Sequence, residues 1–201
     1  MRDVKHAVPD HPIHPLIAER WSPYGFADRS VSEEDLRSLF EAARWAASSM
    51  NEQPWRFIVA RREETEAFER LLSCLSEGNR DWATHVPVLA LTAAKKTFAH
   101  NGKPNATAWH DVGLAAATLT LEATSRGLVV HQMRGILPDQ AREAYGIPDD
   151  YDVVTAIAIG HPGPADGLPE KFRDRDARAR TRKPLRDLVF GDGWGMPAPF
   201  V

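Results

Sequence analysis

The uninterrupted apolar run at residues 86–94, VPVLALTAA, most strongly limits how this chain can fold. Such a run is typical of a β-strand that is covered on both faces. Residues 152–160, DVVTAIAIG, predict a second core strand, and shorter strands are predicted at 56–60, RFIVA, and 128–131, LVVH. The chain must therefore supply helices that cover a sheet.

The first clear helix is predicted to begin after Ser32 and to end near Ala47. Val31 and Leu36 stand at the positions of a hydrophobic staple around an N-cap at Ser32. Asp35 occupies the position of the acid in a capping box. The helix leads into a segment that is rich in serine and amide side chains.

The longest predicted helix covers residues 107–126, with Gly127 as the residue that follows its C-terminus. It is apolar on most of its circumference, so it is buried either centrally or between subunits. Further helices are predicted over residues 63–75 and 138–145, and residues 95–106 are predicted to form a loop. This alternation of helices and strands is typical of a single α/β or α+β domain.

The two ends of the chain differ from its middle. Residues 1–16, rich in proline and histidine, are predicted to be an irregular lead-in to a single domain over 17–201. Residues 161–201 carry many charges of both signs, together with glycine and proline. This tail is too polar to build its own core, so we expect an arm that wraps around another surface.

Composition excludes several classes of protein. Hydrophobic residues make up 43% and charged residues 26% of the 201, which is typical of a soluble globular protein. The net charge of −3 gives no general reason to expect nucleic acid or an anionic membrane as a partner. There is one cysteine, Cys74, and no apolar segment suited to export or to membrane spanning, so a cytoplasmic location is expected.

Familiar catalytic motifs are missing from the sequence. There is no nucleophile elbow, phosphate-binding P-loop or HExxH zinc motif. His11 and His14 could bind a metal, but no cluster of cysteine or histidine completes a metal shell, so no metal is predicted. These absences favour either a binding module or an enzyme whose difficult chemistry belongs to a cofactor.

Three polar segments are suited to holding such a cofactor: RWSPYGF at 20–26, ASSMNEQPWRFIVA at 47–60 and ARTRKPL at 179–185. The first and third are cationic, and paired arginines bind phosphate through charge-assisted hydrogen bonds. The second offers hydroxyl, amide and indole groups that suit a sugar-alcohol chain and a heteroaromatic ring.

Each segment also has a structural interpretation. The serines and the asparagine of the second segment could satisfy the carbonyl groups at the end of the preceding helix. Arg20 could be a solvated surface residue. Arg180 and Arg182 could pair with the aspartates that lie close to them in sequence.

Taken together, the motifs resemble the nitroreductase-like flavoenzyme family. The resemblance starts with RWSPYGF and SSMNEQPW, which are similar to the N-terminal signature of that family. It continues in the same order through NRDW at 79–82, the long helix, MRGI at 133–136, DVVTAIAIGHP and RTRKPLRDLV, and it covers residues 17–195.

The resemblance implies an α+β, three-layer fold with a central mixed or antiparallel sheet flanked by helices. It implies a domain-swapped homodimer, whose C-terminal arms wrap the partner and which holds one FMN at each of two subunit interfaces. Members pass a hydride from NADH or NADPH through flavin N5 to an electron-poor acceptor, such as a nitroaromatic or a quinone. The implied kinetics are ping-pong, and no catalytic side chain is required.

The resemblance also implies a set of cofactor contacts. These are Arg20, Trp21, Ser22, Tyr24, Ser48, Ser49, Asn51, Gln53, Asn79, Met133, Arg134, Gly135, Arg180 and Arg182. The residues of segment 20–22, together with the two C-terminal arginines, would hold the phosphate and ribityl end. Tyr24 stands where some members carry a basic residue.

The remaining implied contacts concern the flavin ring. Ser48, Ser49 and Asn51 would reach the flavin of the partner subunit, and Gln53 would brace that turn. Asn79 would approach the ribityl or pyrimidine edge. The segment 133–135 would direct backbone N–H groups at flavin N5 and O4, and Arg134 would add a cation near the ring.

Two other functions fit the same pocket. One is a flavin-binding sensor or carrier with little turnover. The other is a flavin-consuming or dehalogenating relative, in which residues 95–106 would form a modest lid over the substrate.

Overall fold

A computed structural model describes residues 2–201 of the chain. The helices are α1 (Arg2–Lys5), α2 (Pro15–Glu19), α3 (Glu33–Arg44), α4 (Thr65–Ser73), α5 (Glu77–Ala83), α6 (Ala108–Ser125), α7 (Pro138–Tyr145) and α8 (Glu170–Ala177). The strands are β1 (Trp55–Arg61), β2 (Val88–Lys95), β3 (Val129–Met133) and β4 (Tyr151–Gly160). Within residues 2–201, no helix is both long and apolar enough to cross a membrane.

The strands form one antiparallel sheet in the order β1-β2-β4-β3. Trp55 lies opposite Ala94, and Met133 lies opposite Ala156. β1 and β3 are therefore the edge strands, and β2 and β4 lie between them. The strands predicted from the apolar runs are all present, and the sheet is antiparallel rather than mixed.

Two hydrophobic cores cover the two faces of the sheet. One core joins the sheet to α3 and α6. The other joins it to α4, α5, α7 and α8. Every residue of β2 except Lys95 is buried, because helices pack on both of its faces. The α+β fold with three layers is thereby confirmed.

The ends of the principal helices follow the capping signals. Ser32 Oγ accepts a hydrogen bond from the Asp35 N–H at 3.0 Å, as an N-cap does. Gly127 follows α6 with φ of +71°, and the Leu128 N–H donates to the Ala123 carbonyl at 2.8 Å. This is the Schellman arrangement that a C-terminal glycine permits. α3 ends at Arg44, slightly before the predicted boundary.

The tail packs partly on its own chain. α8 buries Phe172 against the second core, together with Ala165 and Leu168 from the preceding loop. The expectation that the tail only wraps another surface is therefore too broad. A few apolar side chains are enough here, because the rest of the chain already supplies the core. Residues 178–201 remain largely exposed, including Trp194.

The lead-in is more ordered than its composition suggests. It contains α1 and runs into α2, and Lys5 is buried. The Lys5 ammonium donates to the carbonyls of Arg175 and Arg178 at 2.8 and 2.6 Å. Burial lowers the pKa of Lys5. The lead-in is thus fastened to the C-terminal end of α8.

A buried carboxylate, Asp176, attaches α8 to the segment that precedes α3. Asp176 is 2% exposed and accepts hydrogen bonds from the N–H groups of Tyr24 at 3.0 Å and Gly25 at 2.9 Å. We predict that Asp176→Ala lowers the free energy of unfolding by about 2 kcal/mol, because two buried donors lose their acceptor. Urea denaturation checks this. The matched control is Asp174→Ala, which changes an exposed residue of the same helix, and equal midpoints for the two variants would contradict the prediction.

Candidate functional site

Three arginines meet at one end of the molecule. Arg20, Arg180 and Arg182 line a cavity of about 540 Å³. Burial lowers the pKa of Arg20, and the positive charges of the other two arginines lower it further. Among residues 4–201, whose side chains the structure describes, no carboxylate lies within ion-pair distance of these three guanidinium groups, although Asp10 lines the same cavity. Uncompensated cations of this kind attract an anion.

Arg180 serves the fold as well as the cavity. Its guanidinium donates to the Ala18 carbonyl at 2.5 Å and to the Lys5 carbonyl at 3.1 Å. Arg180 thus holds α2 and the lead-in together. Arg182 is exposed, and its guanidinium donates only to the neighbouring Thr181 carbonyl at 2.7 Å. Of the two, Arg182 has more donors available for an anion.

The segment 20–22 lies between this cavity and the sheet. Arg20 donates to Ser22 Oγ at 3.1 Å. Arg20 and Trp21 also line a second cavity, of about 310 Å³, that reaches Val129 at the start of β3. The Trp21 ring lies 5.2 Å from the Lys5 ammonium.

Tyr24 faces the core rather than the arginine cavity. Its ring packs against Trp82, His131 and Phe172, with centroid distances of 5.1, 4.6 and 4.9 Å. Its hydroxyl accepts a hydrogen bond from Arg175 at 3.0 Å. Tyr24 stands where some members of the resembling family carry a basic residue. Its packing in the core explains why an aromatic residue is found there.

The turn between α3 and β1 is strained. Met50, Asn51 and Gln53 have φ values of 54°, 55° and 52°. They are the only non-glycine residues with positive φ within residues 2–201. Such conformations cost about 1–3 kcal/mol each and are concentrated at functional sites.

Two contacts hold the strained turn. Ser48 Oγ accepts the N–H of Gln53 at 3.0 Å, and Asp111 Oδ2 accepts the N–H of Ser49 at 3.1 Å. Asp111 lies on α6 and is 2% exposed. The apolar periodicity of that helix does not indicate this role for Asp111. A carboxylate in the first turn of a helix that is apolar on most of its circumference is the signal that could have identified it.

The segment that follows β3 is fixed through one carbonyl group. Asn79 Nδ2 and Ser76 Oγ donate to the Gly135 carbonyl at 2.8 and 3.0 Å. A Cβ atom at position 135 would lie 2.5 Å from each of these donor atoms. Met133 is buried, whereas Arg134 is exposed. Ser76 is a further residue that the sequence did not indicate.

The N–H groups of this segment are available to a ligand. Within residues 2–201 the N–H groups of Arg134 and Gly135 make no hydrogen bond to any protein atom. Asn79 is therefore a residue that positions the segment through the Gly135 carbonyl. The contact expected between Asn79 and the ribityl or pyrimidine edge stays a prediction.

The N-terminal end of α6 contacts both the strained turn and the segment that follows β3. Asp111 binds the strained turn, and the Arg134 guanidinium lies 6.0 Å from the ring of Trp109. The arginine cavity forms the third group. An antiparallel sheet with helices on both faces, a cavity lined by three arginines and backbone donors without a protein partner together define an α+β domain with groups suited to an anionic ligand.

Comparison with known proteins identifies the family. The sequence model of the Nitroreductase family matches residues 17–161, so the chain belongs to that family. A solved structure described as an oxidoreductase containing FMN has a TM-score of 0.87 and 34% identity to this chain. The alignment covers 93% of this chain and 95% of that one.

Two curated proteins are also similar to this chain. An uncharacterised protein of Mycolicibacterium smegmatis is 35% identical, over 71% of this chain and 99% of its own length. A Streptomyces coelicolor protein with the provisional name NADH dehydrogenase/NAD(P)H nitroreductase is 30% identical. That match covers 73% of this chain and 81% of the relative.

We predict that Gly135→Ala destabilises the chain by about 1–2 kcal/mol, because the added methyl group displaces two hydrogen-bond donors from the Gly135 carbonyl. Thermal unfolding at matched concentrations measures this effect. The control is Gly78→Ala on α5, where a Cβ meets nothing within 4 Å. That change should stabilise the helix by up to about 1 kcal/mol, and a loss similar to that of Gly135→Ala would contradict the assignment.

Acid should lower the stability of the fold, because protonation would place a charge on the buried ring of His131. The His131 Nδ1–H donates to the Pro23 carbonyl at 2.8 Å, and burial lowers the pKa of His131 below 6.5. The unfolded chain therefore binds the proton first, so the free energy of unfolding falls as the pH drops below about 6.5. His131→Phe should flatten this dependence between pH 7.5 and 5.5 in urea titrations. The exposed control His85→Phe should keep the slope of the parent protein.

Proposed function

We propose that this protein is an FMN-dependent oxidoreductase that transfers hydride from NADH or NADPH to an electron-poor acceptor, such as a nitroaromatic or a quinone, in a ping-pong cycle. The observation that carries the proposal is the free pair of N–H groups at Arg134 and Gly135, held in place by the Gly135 carbonyl. The similarity to an FMN-containing oxidoreductase and to a relative named as an NAD(P)H nitroreductase supports it.

The arginine cavity fits the phosphate of FMN. Arg20 and Arg182 supply cations that form no ion pair with the described side chains of residues 4–201, and the Ser22 hydroxyl lies 3.1 Å from the Arg20 guanidinium. Arg180 contributes its charge while it keeps α2 in place. Burial, and then the repulsion between neighbouring arginines, lowers the pKa of Arg20 and Arg180, and a phosphate dianion here would relieve that repulsion.

Segment 134–135 and the strained turn fit the rest of the cofactor. When bound, FMN supplies the chemistry of accepting and donating a hydride. The free N–H groups of segment 134–135 would donate hydrogen bonds to the ring edge. The strained turn would present Ser48, Ser49 and Asn51 to the FMN of a second subunit. Strain at that turn orients these side chains before a ligand arrives.

A homodimer belongs to the same proposal. The exposed side of α6 is apolar or small at Trp109, Gly113, Leu114 and Ala117. The exposed tail carries Trp194, which is 94% exposed. Apolar surface of this kind is typical of subunit interfaces. We propose that α6 pairs with a second copy, that residues 178–201 wrap around it, and that the dimer is cytoplasmic.

The visible absorption spectrum of the purified protein tests this function. We expect a yellow protein that releases FMN on heating, identified by mass, at about one per subunit. Steady-state oxidation of NADH and NADPH with a quinone then tests turnover. A colourless protein that does not take up added FMN would contradict the proposal. Bound FMN without NAD(P)H oxidation would indicate a sensor or carrier.

We predict that Arg182→Ala raises the dissociation constant of FMN by about tenfold to a hundredfold, because a charge-assisted hydrogen bond contributes about 1.5–3 kcal/mol. Quenching of FMN fluorescence during titration measures the constant. The control is Arg173→Ala, which removes an exposed arginine on α8. FMN affinity that is equal in the two variants would exclude Arg182 from the site.

A further inference from the structure

Arg134 and Trp109 form an exposed corner beside the free N–H groups. The Arg134 guanidinium lies 6.0 Å from the centroid of the Trp109 ring, within the range of a cation–π contact. Arg134 is exposed, and Trp109 is 46% exposed. In the described part of the chain, no carboxylate lies within 4.0 Å of this guanidinium.

The indole of Trp109 is held in a fixed orientation. Its Nε1–H donates to Asp152 Oδ2 at 2.9 Å. The other carboxylate oxygen of Asp152 lies 4.0 Å from the Lys96 ammonium, which offsets its charge. Asp152 therefore fixes the ring and is not available to pair with Arg134.

Arg134 is also fixed at its backbone. It directly precedes Gly135, whose carbonyl is bound by Ser76 and Asn79. The corner therefore combines an unpaired cation with a rigid aromatic face. The Trp109 ring and the backbone at Arg134 are held before a ligand arrives, so a ligand that uses this corner loses less conformational entropy in ordering them.

We propose that this corner selects aromatic acceptors that carry a carboxylate. Their carboxylate would pair with the Arg134 guanidinium, and their ring would lie beside the Trp109 indole. This inference rests on the proposed function, because that function puts the acceptor next to segment 134–135. For a nitroarene, ArNO₂ + NAD(P)H + H⁺ gives ArNO + NAD(P)⁺ + H₂O, and the carboxylate is unchanged.

The test compares 4-nitrobenzoate with 4-nitrobenzamide, which has a similar shape but no charge. The measured quantity is the ratio of kcat/KM for the acid to kcat/KM for the amide, taken within each FMN-loaded variant so that differences in cofactor loading cancel. We expect the ratio to fall by about tenfold or more in Arg134→Gln. Arg134→Lys should restore part of it, and Arg37→Gln, on the exposed side of α3, should keep the ratio of the parent protein.

Binding gives a second measurement that needs no turnover. Isothermal titration of the oxidised, FMN-loaded protein with 4-nitrobenzoate should show a dissociation constant that rises about tenfold or more in Arg134→Gln. The inference is overturned if the kinetic ratio in Arg134→Gln equals that of the parent protein, as it would if both acceptors lost kcat/KM equally. It is also overturned if the dissociation constant of 4-nitrobenzoate is unchanged in Arg134→Gln. Tight binding without turnover would instead contradict the proposed function and leave the anion site supported.

Discussion

The burial of β2 on both faces is the constraint on which the rest of the molecule depends. Residues 88–94 of β2 carry no charge and lie in the middle of the sheet, so they require an apolar layer above and below them. α6 supplies much of one layer, and α4 supplies part of the other. Because both faces of the sheet are covered by apolar layers, the polar groups of the candidate site lie at the ends and edges of the sheet. The strained turn precedes the edge strand β1, and the free N–H groups follow the edge strand β3.

Segments that lack enough apolar surface are held by buried polar groups instead. Asp176 binds the backbone at residues 24–25, Arg180 binds the end of α2, and Asp111 binds the turn before β1. Each of these groups reaches across the molecule to backbone donors or acceptors. A buried charge is costly unless it is satisfied in this way, so each contact joins one particular pair of segments. The lead-in, the tail and the turn thereby acquire defined positions around the sheet.

The helices and strands that could be predicted well from the sequence are those with a clear periodic pattern of apolar residues. The core strands follow from runs without charge, and α3 follows from the signals at Ser32 and Leu36. α5 and α8 were missed because both are short and polar, and each is held by few buried side chains, such as Trp82 and Phe172. Among the candidate site residues, Arg20 was identified by its charge and its neighbours. Long-range hydrogen bonds, such as the one that Asp111 makes, produce no periodic pattern in the sequence and therefore could not be predicted from it.

The strained turn also bears on how this chain can be improved as a catalyst. Positions 50, 51 and 53 adopt glycine-like backbone angles, yet each carries a side chain. Glycine at any of them would relieve strain and raise thermal tolerance, at the cost of the side chain that the turn presents. Selection for heat resistance alone would therefore favour the replacement of these side chains by glycine. A screen for robust variants should exclude these three positions from mutagenesis.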